Sequence, residues 1–278
     1  MSLLFCKMNN KKTIFLDTSI LLEIAKSPGL VGNVCKFIDG NDYTLVIGIM
    51  NLIEIQKWKR YWHGVTSFIS SVPFVISKNS EYITKAEVEH YPNEASLPIA
   101  LASSDFPYSR EQTIQAFEIN LNGKIAGFER NYRNQYRTIW QSFIDNRQTF
   151  LPENGKSYTN AEVKTFFLIT VMQWLYLDGY QHFLQREASA GRVINLECFK
   201  SIYLPLLGIF VEYFINKKNG KPSDVGDFYQ LSIIPYVSLA VLDNERNSLI
   251  QNINKRKLFA QRFETYNHED FQRIVNSK

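Results

Sequence analysis

Two short segments near opposite ends of the chain, Thr13 to Leu16 and Val237 to Leu242, are apolar and β-rich, and each runs straight into an aspartate, Asp17 and Asp243. Such runs suit buried strands of a parallel sheet. A helical pattern follows each one at once: Ser19 to Ala25, stopped by Ser27-Pro28-Gly29, and Asn244 to Lys257. Both ends of the chain therefore read as strand-then-helix units, which places it in the α/β class.

Between them lies a third unit. A helical segment ends over Lys36 to Gly40, Gly40-Asn41-Asp42 makes a turn, and Tyr43 to Ile49 is a second apolar strand. The next helix begins near Asn51 and carries Glu54 about one turn in, followed by the basic, aromatic run Lys57, Trp58, Lys59, Arg60, Tyr61, Trp62. Late in the chain, Ser223 is placed to cap a helix with Asp224 and Asp227 in its first turn, ending near Pro235. Leu258 to Phe263 reads as an edge strand after the last helix.

The middle is different. From 66 to 215, segments such as Glu111 to Asn120, Phe128 to Asn146 and Asn160 to Glu187 favour helices over strands, with breaks at Pro92, Pro98, Pro107 and Pro152. The expected organisation is a discontinuous α/β core, 12–65 and 216–278, with about four parallel strands, interrupted by a helical insertion over 66–215. The chain has 278 residues, enough for such a core plus an elaboration.

Composition limits the functional classes. Hydrophobic residues make up 45% and charged residues 21%, as in a globular protein. The most apolar stretches, Phe166 to Leu177 and Ile202 to Ile215, fall short of the roughly 20 residues that span a bilayer and read as buried helices. Three widely spaced cysteines, Cys6, Cys35 and Cys198, fit neither a disulfide framework nor a zinc site. The opening MSLLFCKMNNKK lacks the order of a secretion signal. Together these point to the cytoplasm, with no membrane association, and the net charge of +4 is compatible with a polyanionic partner.

The acids fall at telling places. Asp17 and Asp243 end parallel strands, while Glu54, Asp224 and Asp227 lie in early turns of helices, and in an open α/β sheet those positions converge on one edge. Carboxylates without Cys or His partners suit a hard cation, Mg²⁺ or Mn²⁺. The four histidines are dispersed, and no phosphate-cradling Gly-rich loop or serine-nucleophile elbow is present.

The stretch TIFLDTSI, Thr13 to Ile20, resembles the opening strand of PIN-domain ribonucleases. Glu54 in GIMNLIEI is similar to that family's second acid, and SDVGDFYQLSIIPYVSLAVLDNE resembles its closing motif. The likeness covers 12–62 and 217–270. It implies a three-layer PIN-like core with a central, mostly parallel sheet, and metal-dependent hydrolysis of RNA. The metal-site acids would be Asp17, Glu54, Asp227 and Asp243, with Asp224 either a fifth member or the true third one. Ser19 and Asn244 would support them by hydrogen bonds. The insertion is much larger than a minimal PIN domain carries, and no alanine-rich run follows the third acid as in the bacterial toxin branch.

Plainer readings stand beside these. Asp17 is also a good helix cap, and Asp224 and Asp227 complement a helix dipole. Lys57, Lys59 and Arg60 read either as a solvated face or as phosphate contacts beside the acids. Arg130, Arg133 and Arg137, at helical spacing, read either as a salt-bridged surface or as a basic stripe on RNA. The alternative function is a non-catalytic binding module whose helical insertion docks a protein partner or a second copy.

Overall fold

The computed structural model describes residues 12–103, 109–112, 114–115, 158–216, 218 and 224–277. Its centre is a six-stranded sheet: β1 (Lys12–Leu16), β2 (Tyr43–Gly48), β3 (Phe74–Ser77), β4 (Ile99–Ala102), β5 (Leu239–Val241) and β6 (Thr265–Tyr266), in the spatial order β4-β3-β2-β1-β5-β6. Five strands are parallel, and β4 joins β3 antiparallel at one edge. The sheet is mostly parallel, as expected for the α/β class.

Alternation along the strands divides the core. Ile14, Leu16, Leu45, Ile47, Phe74, Ile76, Leu239 and Val241 face one cluster, while Phe15, Val46, Val75 and Ala240 face the other. The first cluster is covered by α1 (Thr18–Lys26), α2 (Pro28–Gly40), α4 (Lys59–Ser71) and α11 (His268–Asn276). Residues of α6 (Asn160–Leu177), α7 (Gln181–Ser189), α8 (Lys200–Ile209), α9 (Asp224–Gln230) and α10 (Asn244–Arg256) fill the second. The helix α3 (Ile49–Lys57) serves both, with Leu52 and Ile55 on one side and Met50 and Ile53 on the other. A strand buried on both faces must be apolar throughout, which is why β1 and β2 are legible as continuous hydrophobic runs.

Several expectations are corrected. The sheet has six strands rather than about four, because β3 and β4 lie inside the stretch read as helical. Both are four-residue strands, FVIS and IALA, too short to show a period of two. The helix α5 (Ser80–His90) lies between them, and the sheet therefore does not stop at residue 65.

Leu258 to Phe263 forms no strand; Leu258, Phe259 and Phe263 are buried in the second core, and pairing passes to β6. The helix expected to end near Pro235 ends at Gln230, since Pro235 lies within a short 3₁₀ turn, Ile234–Tyr236. Ile49 opens α3 instead of ending β2. Asn160 to Glu187 is split at Gly179, whose φ of 90° favours glycine. The first half, α6, is buried on one side only: Ile169, Met172, Tyr176 and Leu177 are exposed. The second apolar stretch is fully helical, α8 running into a π-helix over Phe210–Ile215, a geometry that is rare in proteins.

Among the described residues, no helix is long and apolar enough to cross a membrane. Cys35 and Cys198 are free thiols. Arg130, Arg133 and Arg137, and most of Glu111 to Asn120 and all of Phe128 to Asn146, lie outside the described residues.

Candidate functional site

Parallel β1, β2 and β5 all end on the same edge of the sheet, and the chain turns there into α1, α3 and α10. Asp17 and Asp243 are the N-cap residues of α1 and α10. Asp17 Oδ1 accepts from the Thr18 backbone N–H at 2.7 Å, and Asp243 Oδ1 accepts from the Arg246 N–H at 2.8 Å. The capping role is therefore real, and it leaves the second oxygen of each carboxylate for other partners. The Asp17 amide donates to the Val241 carbonyl at 3.0 Å, which locks the two strand ends together.

Those second oxygens converge on one side chain. Arg246, in the first turn of α10, donates from Nη1 to Asp17 Oδ2 at 2.7 Å, and Asp243 Oδ2 lies 3.1 Å from the same nitrogen. Its Nη2 pairs closely with Asp227 of α9. Asp17 is buried and Arg246 nearly so, whereas Asp227 and Asp243 remain about one-third exposed, with side-chain values of 38% and 33%. Ser19 Oγ adds a hydrogen bond to Asp17 Oδ2 at 3.0 Å. Asn244 follows Asp243 as an exposed residue.

Glu54 sits beside this cluster within a hydrogen-bonded chain. Its Oε2 accepts from Thr18 Oγ1 at 2.5 Å and from Gln230 Nε2 at 2.8 Å. Asn51 Nδ2 donates to Thr18 Oγ1 at 3.1 Å, and Asn51 Oδ1 accepts from the Gly48 amide at 2.8 Å. The network ties the end of β2 to the start of α1 and the end of α9. Gly48 has no room for a side chain: a Cβ there would lie 2.7 Å from Ile233 and 2.8 Å from Asn51 Oδ1. Gly226 lets α9 approach Glu54, whose Oε1 would be 3.3 Å from a Cβ at that position.

Electrostatics follow from this burial. Desolvation raises the pKa of Asp17; Arg246 opposes the shift and Asp243 adds to it. Glu54 is likewise raised, first by burial, with the Thr18 hydrogen bond pulling it down and Asp17 and Asp227 pushing it up. For Arg246 burial works against the charge, but Asp17, Asp227 and Asp243 more than compensate and raise its pKa.

A pocket of about 220 Å³ adjoins the cluster, lined on its polar side by Asp227, Asp243, Arg246, Glu245, Glu212 and Lys218 and backed by apolar side chains of α9 and α10. Glu212, on the π-helix, and Glu245 both pair with Lys218.

The expected acids thus meet, with exceptions. Asp224 is the first residue of α9, and its side chain is not among those described. Lys57 closes α3, and its side chain is likewise outside the description. Lys59 and Arg60 open α4, directly after the helix that carries Glu54; the next residue, Tyr61, lies under Lys26, the last residue of α1, whereas Asp17 caps the other end of that helix. The helix between them is nine residues long, about 13 Å.

Arg246, Gln230, Asn51, Thr18 and Glu212 were not among the residues singled out as site members. Two left a signal. Arg246 puts a positive charge in the first turn of a helix, where the dipole disfavours it, and Gln230 stands three residues after Asp227 on the same helical face.

Compared with protein-family models, curated proteins and solved structures, the chain matches none.

The donor chemistry suits a hard divalent cation: four carboxylates and one amide, with no sulfur or imidazole. Their spacing is another matter. Among the described residues no three Asp, Glu, His or Cys side chains are placed to hold a metal ion together, because Asp17, Asp227 and Asp243 are arranged around the guanidinium.

Proposed function

We propose that this chain is a PIN-like nuclease that hydrolyses phosphodiester bonds, with RNA as substrate and Mg²⁺ or Mn²⁺ as cofactor. One observation carries the reading. Asp17 and Glu54 from the start of the chain and Asp227 and Asp243 from its end meet at the carboxyl edge of a parallel sheet, around a single cation. Four acids against one guanidinium leave a negative surplus at a place where open α/β sheets bind their ligands.

Asp17, Glu54, Asp227 and Asp243 would hold the metal, which supplies Lewis-acid activation of water and neutralises charge on the phosphate. The protein's own contribution is positioning. Helix caps fix Asp17 and Asp243, while Thr18 and Gln230 orient Glu54. The adjoining pocket provides a concave place for substrate next to the acids, and Lys59 and Arg60, with the Arg130, Arg133 and Arg137 stripe, would contact RNA away from the reacting phosphate.

The test is cleavage of single-stranded RNA by purified protein with Mn²⁺ present, abolished by a chelator and restored by excess metal. Cleavage that persists in chelator would overturn the reading.

A second reading has an observation of its own. Because Arg246 already bridges three of the acids, the cluster can serve as a structural ion-pair network in a non-catalytic module, with the exposed Ile169, Met172 and Tyr176 face of α6 contacting a protein partner or a second copy. That reading predicts no Mn²⁺ binding at the acids, which calorimetry measures directly.

A further inference from the structure

We infer that Arg246 stands in for the divalent cation and must exchange with it, so that guanidinium and metal occupy the acid cluster alternately. The inference rests on the metal-site reading above and concerns what this chain's own residues do there.

Three features support exchange over a permanent ion-pair network. First, the guanidinium satisfies the cluster poorly. Arg246 Nε is buried without an acceptor, and the amide oxygen of Gln230, a residue 2% exposed, is buried without a donor while its nitrogen rests on Glu54. An unpartnered amide oxygen beside carboxylates is an ordinary ligand for a hard cation and no partner for another carboxylate.

Second, Arg246 cannot lose its proton and remains a single positive charge facing Asp17, Glu54, Asp227 and Asp243. A divalent ion offsets more of that charge. Third, the side chain has somewhere to go. It borders the 220 Å³ pocket, whose lining also carries Glu212 and Glu245, the two carboxylates that pair with Lys218, so a displaced guanidinium still has acidic side chains beside it.

Arg246 is on this view a positioning residue: it gathers Asp17, Asp227 and Asp243 before metal arrives and gives way to it. Mn²⁺ binding by calorimetry, with thermal unfolding on the same samples, tests this in the intact protein and in Arg246→Met and Arg246→Lys. Removing the competitor should tighten Mn²⁺ binding by Arg246→Met by about tenfold or more, the scale of one charge-assisted hydrogen bond lost from the competing state. Arg246→Lys should fall between that variant and the parent. Without metal, Arg246→Met should melt below the parent, and Mn²⁺ should raise its Tm by more than it raises the parent's.

Equal Mn²⁺ affinity in all three proteins overturns exchange and leaves the metal site standing. Weaker binding by the variants overturns it by making Arg246 part of the metal-bound site. No Mn²⁺ binding in any of the three overturns both exchange and the metal-site reading. If Arg246→Met fails to fold, Arg246→Lys carries the comparison, and an affinity equal to or below the parent's again rejects exchange.

Discussion

Arg246 and Asp17 meet at 2.7 Å although 229 residues separate them in the chain, and the contact joins the first turn of one helix to the cap of another. Because Asp17 is fully buried and Arg246 nearly so, the pair is sensitive to loss of either member: removing one side of a buried pair typically costs about 3–5 kcal/mol. Asp227 and Asp243 continue to hold the guanidinium when Asp17 is neutralised, which puts the cost at the low end.

Asp17→Asn keeps the capping acceptor and the shape of the side chain but removes its charge. Mn²⁺-dependent RNA cleavage is expected to fall by about a hundredfold or more, equivalent to roughly 3 kcal/mol in the barrier. Far-ultraviolet circular dichroism should stay unchanged. Parent-like cleavage by this variant and by Asp243→Asn would remove both acids from the proposed site.

Asp227→Asn should harm cleavage more than Asp224→Asn. Asp227 pairs with Arg246, and Gln230, one helical turn on, rests on Glu54. Asp224, at the helix start, is expected to cost a few tenths to about 1 kcal/mol through the helix dipole alone. Rate constants and urea midpoints for the two variants decide the ranking, and the reverse order would hand the metal role to Asp224.

Gly48→Ala should weaken the site without touching an acid. Its methyl group would press on Ile233 and on the Asn51 oxygen, loosening the chain from Asn51 through Thr18 to Glu54. Overpacking of this kind costs about 1–3 kcal/mol. The expected result is a lower Tm together with reduced cleavage; a variant as stable and as active as the parent would show that the network has slack.

Another buried carboxylate contributes to pH dependence away from the site. Glu87 on α5 accepts hydrogen bonds from the Ser201 amide and hydroxyl at 2.7 and 2.6 Å and from Tyr236. Burial nevertheless raises its pKa from 4.5 to about 7. The folded chain therefore keeps a proton that the unfolded chain releases, and stability is full below about pH 4.5 and declines as pH rises to 7. At 1.36 kcal/mol per unit the total is about 3 kcal/mol. Asp17 and Glu54 shift in the same direction, so the measurement is a difference: urea unfolding at pH 5 and pH 8 should show a smaller drop for Glu87→Gln than for the parent.

Lys59 and Arg60 are not among the residues proposed to hold the metal, so their replacement by Gln should change binding and leave the chemical step intact. RNA affinity should fall and its dependence on salt should flatten, by up to about 0.7 of log–log slope per lost contact on a single strand. Cleavage at saturating RNA should hold while the half-saturating concentration rises, as for loss of uniform binding. An unchanged salt slope assigns these residues to a solvated face. The same measurement applies to Arg130, Arg133 and Arg137.

The parts of the architecture that were legible in the sequence are those with strong local signals. β1, β2 and β5 are continuous apolar runs closed by an aspartate or a glycine, and α1 and α10 follow them directly. β3 and β4 were missed because four residues cannot display a period, and the sheet pairing that defines them comes from Val46 and Val75, distant in sequence. Asp17, Glu54, Asp227 and Asp243 could be nominated from where strands end, yet the residue that organises three of them could not. An arginine in a first helical turn is out of place against the dipole, but that signal does not say which carboxylates surround it until the fold brings them together.

The sheet order has a consequence for how the protein is made. β1 sits in the middle, hydrogen-bonded on one side to β2, some thirty residues later, and on the other to β5, with Thr13 and Ser238 in contact across 225 residues. During synthesis the first flank of β1 is covered early, while the second stays open until residues 239–241 have left the ribosome. For that interval the nascent protein carries an apolar strand with unpaired backbone groups, the kind of edge that recruits foreign strands. It also carries Asp17 and Glu54 without Asp227, Asp243 or Arg246. The same topology that exposes the unfinished chain to aggregation keeps Asp17 and Glu54 apart from their later partners until β5 docks, so the order of synthesis sets when this cluster of acids can first form.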